Sequence, residues 1–219
     1  MATLAERVTD RDPPTIRHKI APDHDFLIIA KEVRYRHAKD GKPLIVCVHE
    51  FEVIKKTFAE FDYFKAVFKP DTFADTGKDS YEVEEDHPAA LKIWMQLLHD
   101  RLDESSLKVD IATVWHVLVV ARKYDFDALG QEAKDWFKKW YQAPGHRFDT
   151  LQFRQLIYPC YTFDCAEGFA AATKDLAYNI QGHIEEEMPL GVSDEQEEQR
   201  LRSRAISESK CVTSFAAHS

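Results

Sequence analysis

Cys47 and His49 stand two apart in the sequence, and a thiol beside an imidazole is the raw material of a nucleophile with its base. On a strand this spacing puts both side chains on one face. A working pair also needs a pocket with oxyanion donors. No Gly-rich turn flanks these residues, so Cys47 reads as a core or near-core thiol with His49 as its neighbour. Cys160 and Cys165 offer a pair of thiols, five apart. Zinc takes four ligands, usually as two close pairs. The nearest imidazoles here are His146 and His183 and no second cysteine pair exists, which leaves two ordinary thiols at a helix junction. His18, His24 and His37 lie among charges in expected loops and read as solvated. The acidic run Glu82, Glu84, Glu85 and Asp86 fits a strand edge followed by a helix start, because carboxylates favour helix N-termini. The phosphate-loop, dinucleotide, zinc-protease and nucleophile-elbow patterns do not occur in the sequence. The expectation is therefore no enzyme, no cofactor and no metal.

The elements that would position these residues follow from hydrophobic period. Residues 1–24 hold Pro13, Pro14 and Pro22 and little apolar periodicity, and read as a flexible leader with one short extended piece near Ile16. Phe26–Ile29 is a short apolar run, Val33 and Tyr35 alternate with charges, and Leu44–Val48 is rich in β-branched residues; all three predict strand. Lys39–Pro43 predicts the turn between them. From Ile54 the spacing turns helical, through Phe58, Phe61, Phe64, Val67 and Phe68, until Pro70. Tyr81–Val83 predicts one short strand, and Asp86 a cap for a helix with Pro88 in its first turn. That helix carries Leu91, Trp94, Met95, Leu98 and Leu102, and the next, opened by Asp110, carries Ile111, Val114, Trp115 and Leu118. Asp125 or Asp127 is the expected cap of a third. Its stripe of Leu129, Ala133, Trp136, Phe137 and Trp140 lines one helical face. Two further helices are expected over Phe148–Tyr158 and Ala166–His183, separated near Pro159, and the four Trp read as core anchors.

Composition sets the limits. The 219 residues are 44% hydrophobic and 12% aromatic, enough to bury a core. Seven Gly and nine Pro are few for an all-β sandwich and favour helices. A net charge of −9 disfavours both a nucleic-acid backbone and an anionic membrane as partner. The longest apolar stretches, Val117–Ala121 among them, fall far short of a bilayer span. Met1–Pro14 is polar, so no secretory signal is expected, and the four scattered Cys read as reduced thiols of cytoplasm or nucleus. Glu185–Glu198 holds seven acidic and no basic residues, and Arg200, Arg202, Arg204 and then small and polar residues follow, which predicts a disordered tail over 190–219.

Several strings, taken in order, resemble the BTB/POZ domain. Asp62-Tyr63-Phe64-Lys65-Ala66-Val67-Phe68 is similar to the family's "S-x-Y-F-x-x-M-F". Lys69-Pro70-Asp71-Thr72-Phe73-Ala74-Asp75 is similar to the "S-P-x-F-x-E" loop. Glu84–Leu91 looks like "P-E-D-D-P-E-A-L", Leu97-Leu98-His99 like "I-L-H", and Ala121–Leu129 like "A-D-K-Y-D-C-x-A-L". Trp136, Trp140 and the later Leu156–Asp164 are similar to the filamentous-fungal branch, which adds a helical extension. The resemblance implies an α+β fold over 25–142, a small sheet packed against five helices, with the extension over 144–189. It also implies a protein–protein interaction module, without small-molecule substrate, that self-associates, scaffolds, or serves as substrate adaptor of a cullin-based ubiquitin ligase. Phe64, Phe68, Phe73 and Asp75 are the partner contacts it points to. At Phe73-Ala74-Asp75 the family's Glu is an Asp, one methylene shorter and with less reach, which favours reading Phe73 as an anchor for its loop over a cullin contact.

Overall fold

In the computed structural model, which describes residues 12–35, 43–68, 79–126, 130–183 and 186–192, the period-two runs become strands and the helical periods become helices. The fold is α+β, a four-stranded mixed sheet and, among the described residues, seven α-helices. The strands are β1 (Thr15–Lys19), β2 (Phe26–Tyr35), β3 (Pro43–Val53) and β4 (Ser80–Val83). The helices are α1 (Lys55–Phe58), α2 (Asp62–Val67), α3 (Pro88–Leu98), α4 (Ile111–Lys123), α5 (Gln131–Tyr141), α6 (Thr150–Thr162) and α7 (Ala166–Asn179). The chain divides into two compact units: one holds the sheet with α1, the other holds α3–α7 together with 61–63.

In the sheet unit the strand order is β1-β3-β2-β4. β2 and β3 are antiparallel, while β1 runs parallel to β3 and β4 parallel to β2. Alternation then sorts the side chains. Phe26, Ile28 and Ala30 of β2, Phe51 and Val53 of β3 and Val83 of β4 are buried. The opposite face carries ion pairs across the strands, Arg17 with Glu50 at 2.8 Å and Lys31 with Glu82. Phe58 and Phe64 are buried and pack edge to face, with ring centroids 5.1 Å apart.

The sequence placed β1 in a leader, and its extended piece near Ile16 is a strand of the sheet. Its five residues pair with Val48–Glu52 of β3, and the Val48 N–H also bonds the Pro14 carbonyl at 2.9 Å. His18 therefore lies on β1 and not in a loop. His37 and the turn Lys39–Lys42 lie outside the described residues.

In the helical unit all four Trp are core residues, and each indole N–H donates to a backbone carbonyl of another segment. Trp94 bonds Val117, Trp115 bonds Gln155, Trp136 bonds Ser106 and Trp140 bonds Val109, at 2.7–3.2 Å. Leu118 and Phe137 are buried as expected, Leu98 only half-buried, and Leu102 is exposed beyond the end of α3. Asp110 caps α4 as its position predicts, accepting from the Thr113 N–H at 2.8 Å.

Three helices end in one device. Asp100, Asp125 and Asp164 adopt φ of 52–55°, and the next residue's N–H returns to the carbonyl five residues before it, 2.8 Å away in each case. This is the Schellman arrangement with Asp, which tolerates left-handed backbone, where Gly is commoner. Asp125 thus closes α4 instead of opening α5, whose N-cap is Gly130; Asp127 lies outside the described residues. Pro159 does not separate two helices either, because α6 runs through it to Thr162. α7 stops at Asn179, short of His183. Past it, Glu187 pairs with Arg154 at 2.8 Å and Val192 is buried, while 193–219 lie outside the described residues.

The segment Asp103–Lys108 holds a 3-10 turn over Glu104–Leu107 capped by Asp103. Partial burial would raise the Asp103 pKa. Hydrogen bonds from Ser105, Lys92 and Gln96 overcome it and hold the carboxyl well below the usual carboxylate range. A carboxyl depressed in the folded state adds stability above its unfolded pKa, and that stability is lost as pH falls through the acid range. Asp103→Asn should therefore flatten the loss of urea stability below about pH 4. Parallel acid limbs for parent and variant would contradict the assignment.

Candidate functional site

The partner contacts implied by the resemblance divide. Phe64 is buried, touching Phe58, Phe68 and Tyr81, and would have to leave the core to meet a partner. Phe68 is half-buried, edge-on to Phe26 at 5.3 Å with the Lys55 ammonium 4.9 Å above its ring. Phe73 and Asp75 lie outside the described residues. Exposed apolar side chains are found instead at Ile16, Leu44 and Ile45 in the sheet unit, and at Leu151, Tyr161 and Tyr178 on α6 and α7.

A polar cluster grows out of the sheet's buried face. The stripe Val53, Phe51 on β3 continues as His49 and Cys47, and the stripe Ile28, Ala30 on β2 continues as Glu32, which pairs in register with Cys47. A register shift follows at Glu32/Val33. One donor atom from each of Glu32, Cys47 and His49 lies within 4.8 Å of the others. The His49 Nε2 is buried without a hydrogen-bond partner among the described residues and stands 3.8 Å from the Glu32 carboxylate. Its Nδ1 is 3.0 Å from the Nε2 of His18, the two rings lying 3° from parallel. His18 in turn stacks on Phe51, centroids 4.7 Å apart. The Cys47 thiol, buried, donates to the Pro14 carbonyl at 3.3 Å. The sequence put Cys47 and His49 together by strand alternation. It missed His18 and Glu32, whose approach depends on pairing with β3 from either side.

The thiols of Cys160 and Cys165 also meet. Cys160 and Cys165 occupy the third-last residue of α6 and the second residue past its cap, the two positions whose side chains the Schellman turn brings into contact. A hydrogen bond from Cys160 holds the Cys165 thiol down at about 6, against the opposing effect of burial, with a further bond from Gly168 N–H. The bond to Cys165 and burial push Cys160 up. Burial, and then the two neighbouring sulfurs, push the Tyr141 phenol up to about 12. The pair thus loses one proton easily and holds the other.

Gly168 makes room for it. A Cβ there would stand 2.7 Å from the Cys160 Sγ and 3.2 Å from both the Cys165 Sγ and the Tyr141 ring. Gly168→Ala should destabilise the protein by about 1–3 kcal/mol through overpacking, despite the helical preference for Ala of about 1 kcal/mol. A rise in the unfolding midpoint, as at an open helical glycine, would show that the sulfurs do not crowd this position.

The chain matches no protein-family model, and no curated protein is significantly similar to it. Among the described residues no helix is long and apolar enough to cross a membrane.

Proposed function

We propose that the chain is a non-catalytic protein–protein interaction module of the BTB/POZ type, a scaffold or self-associating domain of cytoplasm or nucleus. The observation that carries this reading is the order of elements. An antiparallel pair, β2 and β3, is followed by two short helices, a short strand parallel to the first of the pair, and then the helices α3–α5 with the α6–α7 hairpin after them. That is the order implied by the strings at 62–75, 84–99 and 121–129. The fungal-type helical extension corresponds to α6 and α7, with Tyr161 and Tyr178 on its exposed surface. Exposed aromatics are suited to contact a partner at low entropic cost.

β1 already lies on β3 of its own chain, so a strand-swapped dimer would have to give up these bonds. Sedimentation of the full chain at micromolar concentration should show a monomer exchanging with a dimer. A dimer independent of concentration, and lost on deleting residues 1–24, would replace exchange by swapping. Retention of the chain on an immobilised cullin, abolished by Phe73→Ala, would replace the scaffold by the ligase adaptor. A chain that stays monomeric up to its solubility limit, and holds no protein in either assay, would defeat the module reading.

A further inference from the structure

We propose that Glu32, Cys47 and His49 form a binding site for one zinc ion. The three residues come from adjacent strands of one sheet, so their Cα positions are fixed by ladder hydrogen bonds and not by a loop. The donor set is a thiolate, an imidazole and a carboxylate. Calcium and magnesium demand oxygen ligands, whereas this mixture suits zinc.

The distances are close to what zinc needs. Tetrahedral zinc with bonds of about 2.0–2.3 Å holds its ligand atoms about 3.4–3.6 Å apart. The His49 Nε2 and Glu32 carboxylate are already 3.8 Å apart, and no pair of the three donors exceeds 4.8 Å. A rotation of the Cys47 side chain away from the Pro14 carbonyl closes the remainder.

The His49 ring is oriented for this role. Its buried Nε2 finds no hydrogen bond among the described residues, an arrangement that is costly unless a ligand takes the lone pair. Its Nδ1 meets His18 at 3.0 Å. When His49 donates its Nδ1–H to the His18 Nε2, the His49 Nε2 lone pair is left facing Glu32 and Cys47. This is the outer hydrogen bond that fixes the tautomer of metal-binding imidazoles. His18 is itself held by stacking on Phe51. Glu32 is 40% exposed in its side chain while His49 is 13% exposed, so the ion enters past Glu32, and water completes the fourth position. On binding, the Cys47 thiol gives its proton to solvent and zinc takes the thiolate. The bound ion would tie β2 to β3 and, through His18, steady β1.

The test is zinc titration of the full chain by calorimetry, with cobalt as a spectroscopic substitute. We expect one zinc per chain, a thiolate-to-cobalt charge-transfer band, and a melting temperature that rises with zinc concentration. Cys47→Ser should abolish the band, and Glu32→Gln and His49→Gln should each weaken zinc at least tenfold. His18→Phe, which keeps the stacking and removes only the outer hydrogen bond, should weaken it about 10–100-fold. Cys160→Ser together with Cys165→Ser should change neither the band nor the affinity. Glu32→Gln alters a half-exposed side chain and keeps the test decisive if Cys47→Ser does not fold. No zinc bound, equal affinity in parent and Glu32→Gln, or loss of zinc with the Cys160/Cys165 variant would each overturn the site.

Discussion

Trp115→Ala should lower the unfolding free energy by about 3–5 kcal/mol, as removal of a buried aromatic does. Trp115 is fully buried on α4, its ring 5.1 Å from Tyr158. It also answers a defect in the neighbouring helix. Pro159 sits inside α6 and has no N–H, so the carbonyl four residues back lacks its helical donor. That carbonyl belongs to Gln155, and the Trp115 indole N–H donates to it at 2.8 Å. Truncation therefore leaves a cavity and an unsatisfied carbonyl together. Trp115→Phe separates the two effects, keeping most of the ring and removing the donor, for an expected loss of about 1–3 kcal/mol. Pro159→Ala returns an N–H to Gln155, so Trp115→Phe should cost less in that background. Urea midpoints of the four proteins measure the coupling. Equal costs in both backgrounds would show that the indole is not the proline's substitute, and an unchanged midpoint for Trp115→Ala would refute the helix face itself.

The same pair shows what a sequence can reveal. Trp115 was legible as a core residue because its helical period is written within one turn of Ile111, Val114 and Leu118. Pro159 reads as a break in the sequence because the residue that makes it tolerable, Trp115, lies in another helix, 40 positions before the Gln155 carbonyl it bonds. β1 was half legible: its residues Thr15–Lys19 are mostly polar, and pairing with β3, not burial, makes them a strand. The caps behaved similarly. Asp110 announced α4 by accepting from a neighbour three residues on, whereas Asp100, Asp125 and Asp164 close helices through backbone geometry that any Asp could also avoid. In the polar cluster, Cys47 and His49 follow from alternation along one strand. His18 and Glu32 follow from the order of strands in the sheet, which no local spacing encodes. The sequence reads Cys160 and Cys165 as ordinary thiols at a helix junction near Pro159; because α6 runs past Pro159 to a Schellman turn, their contact is a consequence of that turn.

Trp136→Ala should be comparably damaging, about 3–5 kcal/mol, and should also disturb the cysteine pair. Trp136 is fully buried on α5; its ring meets Phe163 edge to face at 5.9 Å, and its N–H donates to the Ser106 carbonyl at 3.2 Å. Phe163 is the C-cap of α6, and it also stacks on Phe137 at 4.7 Å. The two α5 rings thus hold the residue from which the chain turns through Asp164 to bring Cys165 onto Cys160. Removing Trp136 frees one side of that cap, loosening the turn and the thiol contact with it. Alkylation of the buried thiols in native buffer should then be faster than in the parent, where Cys160 and Cys165 are 1% and 6% exposed. Lys139→Ala on the exposed face of the same helix should change stability by no more than about 0.5 kcal/mol and leave alkylation unaltered. If the lysine variant unfolds as early as the tryptophan variant, α5 does not present this face to the core. If Trp136→Ala is destabilised with thiol reactivity unchanged, the cap at Phe163 is held by Phe137 alone.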